Sequence, residues 1–242
     1  MASTIEVPVT DGTTLPLYDV SPDGDPAGAV VVIQEAFGVN DHIEDVARRF
    51  ADAGFRAVAP HLFHRTGDPR LGYERLTDAM PHMQALTADG LAADIDATLD
   101  YLEADGFPPA RIGFVGFCMG GTVAMIAAAT RSIGAAVTFY GGGILEGRFG
   151  GPPLVELAPH LRAPWIGFYG DEDQGIPIQQ VEALGQAAAD ATVPTEIFRY
   201  PSAGHGFHCD VRASYDEVAA LDAWPRCVAW LREHLAPPAA HA

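Results

Sequence analysis

The sequence predicts a mostly parallel β-sheet with helices packed on both faces, entered through an antiparallel N-terminal hairpin. Three observations predict it. Strand-like apolar runs take turns with stretches of helical periodicity along the chain. The run at 29–34 (AVVVIQ) is unbroken and largely β-branched, as a strand covered on both faces requires. The length, 242 residues, fits one large core and comes with no internal repeat and no linker-like stretch. We therefore expect a single domain over residues 1–235 and a frayed tail at 236–242 (APPAAHA).

The elements follow in order. Residues 5–9 and 15–19 flank Asp11-Gly12, a turn pair favoured in hairpins. After the buried strand at 29–34, Asp41 is placed to cap a helix. Its apolar positions Ile43, Val46, Ala47 and Phe50 recur at helical spacing until Gly54 stops it. Then come a strand at 56–60, a helix at 91–104, a strand at 111–117, a helix at 119–130 and a strand at 135–140. A strand at 165–169, a helix at 178–189, a strand at 195–200 and a last helix at 214–235 complete the alternation. Two irregular stretches, 61–86 and 141–164, both follow strand ends. In an open α/β sheet the ligand lies beyond the carboxyl ends of the strands, so both are expected pocket walls.

Composition narrows the function. Thirty-two acidic residues face 14 basic ones, a net charge of −18, and every basic residue is Arg. Such a field repels polyanions, so nucleic acid is not an expected partner. The longest apolar stretch, 123–129, is far short of the roughly 20 residues that span a bilayer. The N-terminus also lacks a basic-then-apolar signal pattern, so we expect a cytoplasmic protein that does not enter the membrane. Three cysteines without C-x-x-C spacing encode neither a disulfide framework nor a thiolate zinc site. No cofactor is expected, and the chain should act as a monomer or small homo-oligomer.

The strongest local signal is Gly116-Phe117-Cys118-Met119-Gly120-Gly121, between a strand and a helix. This is a G-x-C-x-G form of the nucleophile elbow, where small neighbours are needed because the nucleophile sits on a strained, sharp turn. The helix N-terminus that follows favours a thiolate. An elbow needs an acid and then a histidine in chain order. Gly170-Asp171-Glu172-Asp173-Gln174-Gly175-Ile176-Pro177 supplies the acid, with Asp173 at the fitting position and Asp171 as its competitor. Ala203-Gly204-His205-Gly206-Phe207-His208 supplies the histidine. A zinc site from His205, His208 and Cys209 would need a fourth ligand from elsewhere, and metal binding is not expected.

Together these segments resemble the dienelactone hydrolase family, the cysteine-nucleophile branch of the α/β-hydrolase fold. The resemblance runs from the hairpin to the last helix. Its most specific piece is Gln34-Glu35-Ala36-Phe37-Gly38-Val39-Asn40, similar to the family's Q-E-x-F-G-x-N. It implies Cys118 as nucleophile, His205 as general base and then acid, and Asp173 orienting the imidazole. It also implies that Glu35 contacts the resting thiol and helps deprotonate it, and that the N–H groups of Ala36 and Met119 form the oxyanion hole. Phe37 and Tyr140 match pocket positions. The pattern departs where the family has an Arg four residues after the histidine: this chain has Cys209 there, and the next Arg is Arg212. Arg75 lies closest to the family's other carboxylate-binding Arg, with Arg65 and Arg70 as alternatives. We expect at least one of Arg65, Arg75 and Arg212 to point into the pocket. The function implied is hydrolysis of a small lactone or ester through a Cys-His-Asp triad and a thioacyl-enzyme. A broad-specificity carboxylesterase is one alternative, separated by whether a free carboxylate improves the substrate. A non-catalytic binding protein on the same fold is the other, separated by tight binding without product.

Overall fold

The computed structural model describes residues 2–235; the expected frayed tail lies outside them. Strands β1 (Ala2–Pro8) and β2 (Thr14–Val20) form the antiparallel hairpin around Asp11-Gly12, where Gly12 takes φ 86°. Strand β2 pairs antiparallel with β4 (Arg56–Pro60). From β4 onward the sheet is parallel, through β3 (Ala29–Ile33), β5 (Ile112–Phe117), β6 (Ala135–Phe139), β7 (Trp165–Gly170) and β8 (Thr195–Tyr200). The spatial order is β1-β2-β4-β3-β5-β6-β7-β8. Every residue of β3, β5, β6 and β7 is buried, so both faces of the sheet are covered.

The covering helices are α1 (Asp41–Asp52), α2 (Leu76–Gln84), α3 (Ala88–Ala104), α4 (Met119–Thr130), α5 (Leu154–Leu157), α6 (Ile178–Ala188) and α7 (Glu217–His234). Helices α1 and α7 meet through Phe50 and Trp224, whose rings are 4.6 Å apart. Arg131, at the end of α4, is paired with Asp96 of α3. Helix α4 has no polar face: ten of its twelve residues are buried.

Local chemistry corrects several expected boundaries. Asn40, not Asp41, caps α1, its side chain accepting the Ile43 N–H at 3.2 Å, while Asp41 sits in the first turn beside the positive dipole end. Thr87 caps α3, so that helix starts three residues earlier than its apolar periodicity suggests, at Ala88. Asp216 caps α7 and delays its start to Glu217. Helix α2 lies inside the irregular stretch 61–86. It buries only Ala79 and contains Pro81, so it has no apolar stripe to reveal it.

The order of the strands sets the site. The chain leaves β3 to build β4 on one side and returns to build β5 on the other, so the crevice between connections opens at the carboxyl ends of β3 and β5. Glycine makes the approach possible there. A Cβ on Gly120 would lie 2.5 Å from the carbonyl oxygens of Ile33 and Gln34, so the first turn of α4 is pressed directly on the exit of β3. Further along the sheet, a Cβ on Gly170 would lie 2.1 Å from the Ala203 carbonyl oxygen, and the Glu172 N–H donates to that same oxygen at 3.0 Å. The loops after β7 and β8 are thus in backbone contact. Gly170→Ala is expected to destabilise the fold by about 1–3 kcal/mol, lowering the melting temperature by roughly 2–10 °C in a chain of this size. A thermal melt equal to wild type would show that the two loops tolerate separation.

Candidate active site

Cys118 occupies the turn between β5 and α4 with φ 56° and ψ −119°, a region that L-residues avoid. Its N–H donates to the Phe139 carbonyl at 3.0 Å, which holds the turn against β6. A Cβ on Gly116 would fall 1.9 Å from the Gly120 carbonyl oxygen. The small residues on both sides of the cysteine are therefore a steric requirement. The side chain is partly exposed. It lines a cleft of about 350 Å³ shared with His205, Asp173, Gly142, Gly175 and Ile176.

Asp173 is buried, and both of its oxygens are engaged. Oδ1 accepts the Gly175 N–H at 2.8 Å, and Oδ2 accepts from Nδ1 of His205 at 2.6 Å. That fixes the tautomer, leaving Nε2 to face the thiol side. Burial alone would push the His205 ring down, but its bond to Asp173 and the nearby Cys118 outweigh burial and lift it to about 10. Asp171 is turned outward and bound by Arg199 at 2.7 Å. His208 is packed against Phe117, Phe139 and Trp224, where burial, chiefly, drives it down to about 3 and keeps it neutral.

Ala36 and Met119 are buried where β3 and the start of α4 converge. Among the described residues neither backbone N–H finds an acceptor. Phe37 packs edge-on against Tyr73 at 4.7 Å. Tyr140 is fully buried, its ring 5.1 Å from that of His205 and its hydroxyl without a partner among the described residues. Burial first, and then the nearby Glu35 carboxylate, hold that hydroxyl protonated.

The basic residues sort differently from expectation. Arg212 does reach the site. Its guanidinium lies 3.1 Å from Glu35 Oε1, over the rings of Phe37 and Tyr73, and passes a Gly206 whose Cβ would overlap it at 2.4 Å. Arg65 instead binds Asp94 and Asp11, and Arg75 binds Asp78, so neither stands beside Cys118. Arg70 pairs with Asp41 and Glu44 on α1. The partner expected for Glu35 also changes. Its side chain is 1% exposed, and a carboxylate that dry needs a cation more than a thiol: Oε1 takes Arg212, and Oε2 has no hydrogen-bond partner among the described residues. Tyr73 and Cys209 close this corner. Burial, then Glu35, raises both groups, Cys209 to about 12. Sequence reasoning missed Tyr73, saw Cys209 only as a departure from the family's Arg and a weak zinc ligand, and missed Arg148 on the cleft wall. Arg148 lay in the stretch expected to wall the pocket, but no spacing distinguished it there. A larger concavity of about 650 Å³, lined by His42, Arg49, Arg70, Tyr73 and Asp210, contains neither Cys118 nor His205.

The sheet order, the strained turn between β5 and α4, and the His205–Asp173 pair at the strand ends define an α/β hydrolase. A family model described as "Dienelactone hydrolase family" matches residues 15–235. A protein of Yersinia pestis named "Putative carboxymethylenebutenolidase" is 36% identical over 230 residues, covering 93% of this chain and 86% of that protein. One of Escherichia coli K12 with the same name is 36% identical over 231 residues, covering 93% and 84%. The crystal structure titled "Putative Dienelactone Hydrolase" from Klebsiella pneumoniae superposes with a TM-score of 0.86 at 36% identity, covering 96% of this chain and 98% of that one. The chain belongs to the dienelactone hydrolase family, and it is a hydrolase. Among the described residues no helix is long and apolar enough to cross a membrane.

The His205–Asp173 bond gives a pH test. Because the folded state holds the ring proton more tightly than the unfolded state, the pair's contribution to stability is complete below about 6.5 and is lost as pH rises through about 10. In Asp173→Asn the His205 resonance, followed by NMR titration, should move down toward 6.5. An unchanged titration would mean that Asp173 does not hold the ring.

Proposed function

We propose that residues 1–235 act as one domain that hydrolyses small lactones or esters, with Cys118 as nucleophile, His205 as base and acid, and Asp173 orienting the ring. The observation that carries this is the strained placement of Cys118 in the same cleft as a histidine whose Nδ1 is 2.6 Å from a buried carboxylate. The thiolate attacks the acyl carbon and the carbonyl oxygen becomes an oxyanion. The free N–H groups of Ala36 and Met119, preoriented by the Gly120 contact, are the donors proposed to receive it. Collapse breaks the C–O bond; the leaving oxygen takes the proton of His205, and the acyl group stays on sulfur. A water, losing its proton to His205, then attacks the thioester, and the carboxylic acid leaves as Cys118 recovers its thiolate.

Glu35 fits this scheme as a gate. In the structure it rests on Arg212. A substrate carboxylate that pairs with Arg212 releases Glu35 toward the thiol, where it takes the Sγ proton and gives it back to the thiolate once the acid has left, the deprotonating role that the family resemblance implies. The resting ion pair and the waiting thiol then belong to one substrate-dependent exchange.

Cys118→Ala is expected to lower kcat by at least about 10³-fold on every lactone and aryl ester that the protein accepts, and Cys118→Ser should be far weaker than wild type. Turnover at the wild-type rate in Cys118→Ala would overturn the proposal. Ala36→Pro removes one oxyanion donor and should cost about 10²–10³ in kcat while circular dichroism shows an intact fold. Full activity in that variant would place the donor elsewhere.

A further inference from the structure

We infer that Thr138, on β6, is a positioning residue of the oxyanion hole: its hydroxyl holds the Gly121 carbonyl and, through the first turn of α4, fixes the direction of the Met119 N–H. The inference rests on the oxyanion role proposed above for that N–H.

The direction of the Met119 N–H is set by the peptide it belongs to. A trans peptide is planar, with its N–H and its C=O pointing in opposite directions, so whatever holds the Cys118 carbonyl also aims the Met119 N–H. That carbonyl accepts the N–H of Gly121 at 3.0 Å and the N–H of Thr122 at 3.4 Å. Both of these residues are held in turn by a side-chain hydroxyl. Thr138 Oγ1 donates to the Gly121 carbonyl at 2.9 Å, and Thr122 Oγ1 donates to the Gly142 carbonyl at 2.8 Å.

Two independent features single out Thr138. The first is that its hydroxyl is directed. Thr138 is the one polar residue of β6, a fully buried strand in which valine would fill the same space. Trp165 Nε1 donates to Thr138 Oγ1 at 2.9 Å, and because an indole N–H only donates, the hydrogen of Thr138 is left for Gly121. The indole reaches Thr138 across Gly167, which stands opposite Thr138 in the register of β6 and β7; a Cβ on Gly167 would lie 2.9 Å from the indole ring. The second feature is that the methyl group is gripped as closely as the hydroxyl. A Cβ on Gly121 would lie 2.9 Å from Thr138 Cγ2, and a Cβ on Gly141 would lie 2.6 Å from it. The side chain therefore sits in a slot between two glycines, and its branching at Cβ restricts it further. A polar chain runs from β7 through β6 to the head of α4, and it ends on the turn that carries the donor.

The test separates acylation, which passes through an oxyanion, from alkylation, which does not. Single-turnover release of 4-nitrophenolate from 4-nitrophenyl acetate reads the first, and the rate of reaction with iodoacetamide reads the second. Thr138→Val keeps the shape and removes the hydroxyl; its ratio of acylation rate to alkylation rate should fall about 10–10²-fold, while the pH profile of alkylation stays as in wild type. Thr138→Ser keeps the hydroxyl and should restore most of the ratio. A wild-type ratio in Thr138→Val, or a ratio as low in Thr138→Ser, overturns the proposal. The double variant Thr138→Val/Trp165→Phe strands no buried donor, so it guards against a loss that comes only from an unpaired indole in a poorly folded protein. Its ratio should stay low, and recovery there also overturns the proposal. Hydrogen exchange at the Gly121 and Thr122 amides reads the turn without turnover: it should quicken in Thr138→Val and not in Thr138→Ser, and equal exchange in all three proteins counts against the inference as decisively. Quickened exchange together with acylation that survives in Cys118→Ala would overturn the hydrolytic scheme and leave Thr138 as the residue that holds the turn.

Discussion

The site depends on a close approach of backbone to backbone at the carboxyl ends of β3 and β5. With no Cβ at Gly116 and Gly120, α4 can start within contact distance of the Ile33 and Gln34 carbonyls. That approach pulls Cys118 through a positive φ, a conformation costing about 1–3 kcal/mol. It also brings to one place two buried N–H groups, those of Ala36 and Met119, that are unpaired among the described residues. The next glycine extends the effect: a Cβ on Gly121 would lie 2.9 Å from the Phe139 carbonyl oxygen, tying the turn to β6 and to Tyr140 beyond it, itself at φ 40°. Burial of α4 offsets the strain. The sheet presses the helix inward, and the helix holds the turn.

Features that follow from short-range sterics or periodicity were legible in the sequence, and those set by long-range pairing were not. The β-branched run of β3 and the glycines around Cys118 have only one sensible setting each. Asp173 was preferred over Asp171 by spacing alone; in the structure Asp173 bonds His205, and Asp171 bonds Arg199. The arginines were a different problem. Arg65, Arg75 and Arg212 looked equivalent, because each has many acidic residues within possible reach. Which of them meets Glu35 depends on Asp94 and Asp78 capturing two, and on Gly206 leaving room for the third. Glu35 was legible as a site residue but not in its partner, since desolvation in the folded core decides that and no motif records it. Helix α2 was hidden because it turns almost no apolar surface inward.

The all-arginine composition also has a structural use. Arg56 joins Asp19 of β2, Tyr101 of α3 and Asp105 just after it, so one side chain clasps the hairpin and a helix to the edge of the parallel sheet. Arg65 holds Asp94, which is fully buried and also faces His64. Exposed pairs of this kind contribute little, but a buried carboxylate such as Asp94 is costly if left alone. The planar fork serves several acceptors at once, which a lysine ammonium on a flexible stem does less well. Arg199 extends the pattern by pinning Asp171, two residues from the carboxylate that holds His205.

Helix α4 buries ten of its twelve residues and has no wet face to fray along. Ordinary surface helices open locally at low cost and expose whatever their ends carry. Here the residue at the head of the helix is Cys118, and freeing it would require a central helix to leave the core. Its encounter with any reagent from solution is therefore governed by what can pass down the cleft and not by breathing of the fold. Measured as a labelling rate, the reactivity of this thiol is a gauge of molecular size and shape at the cleft mouth.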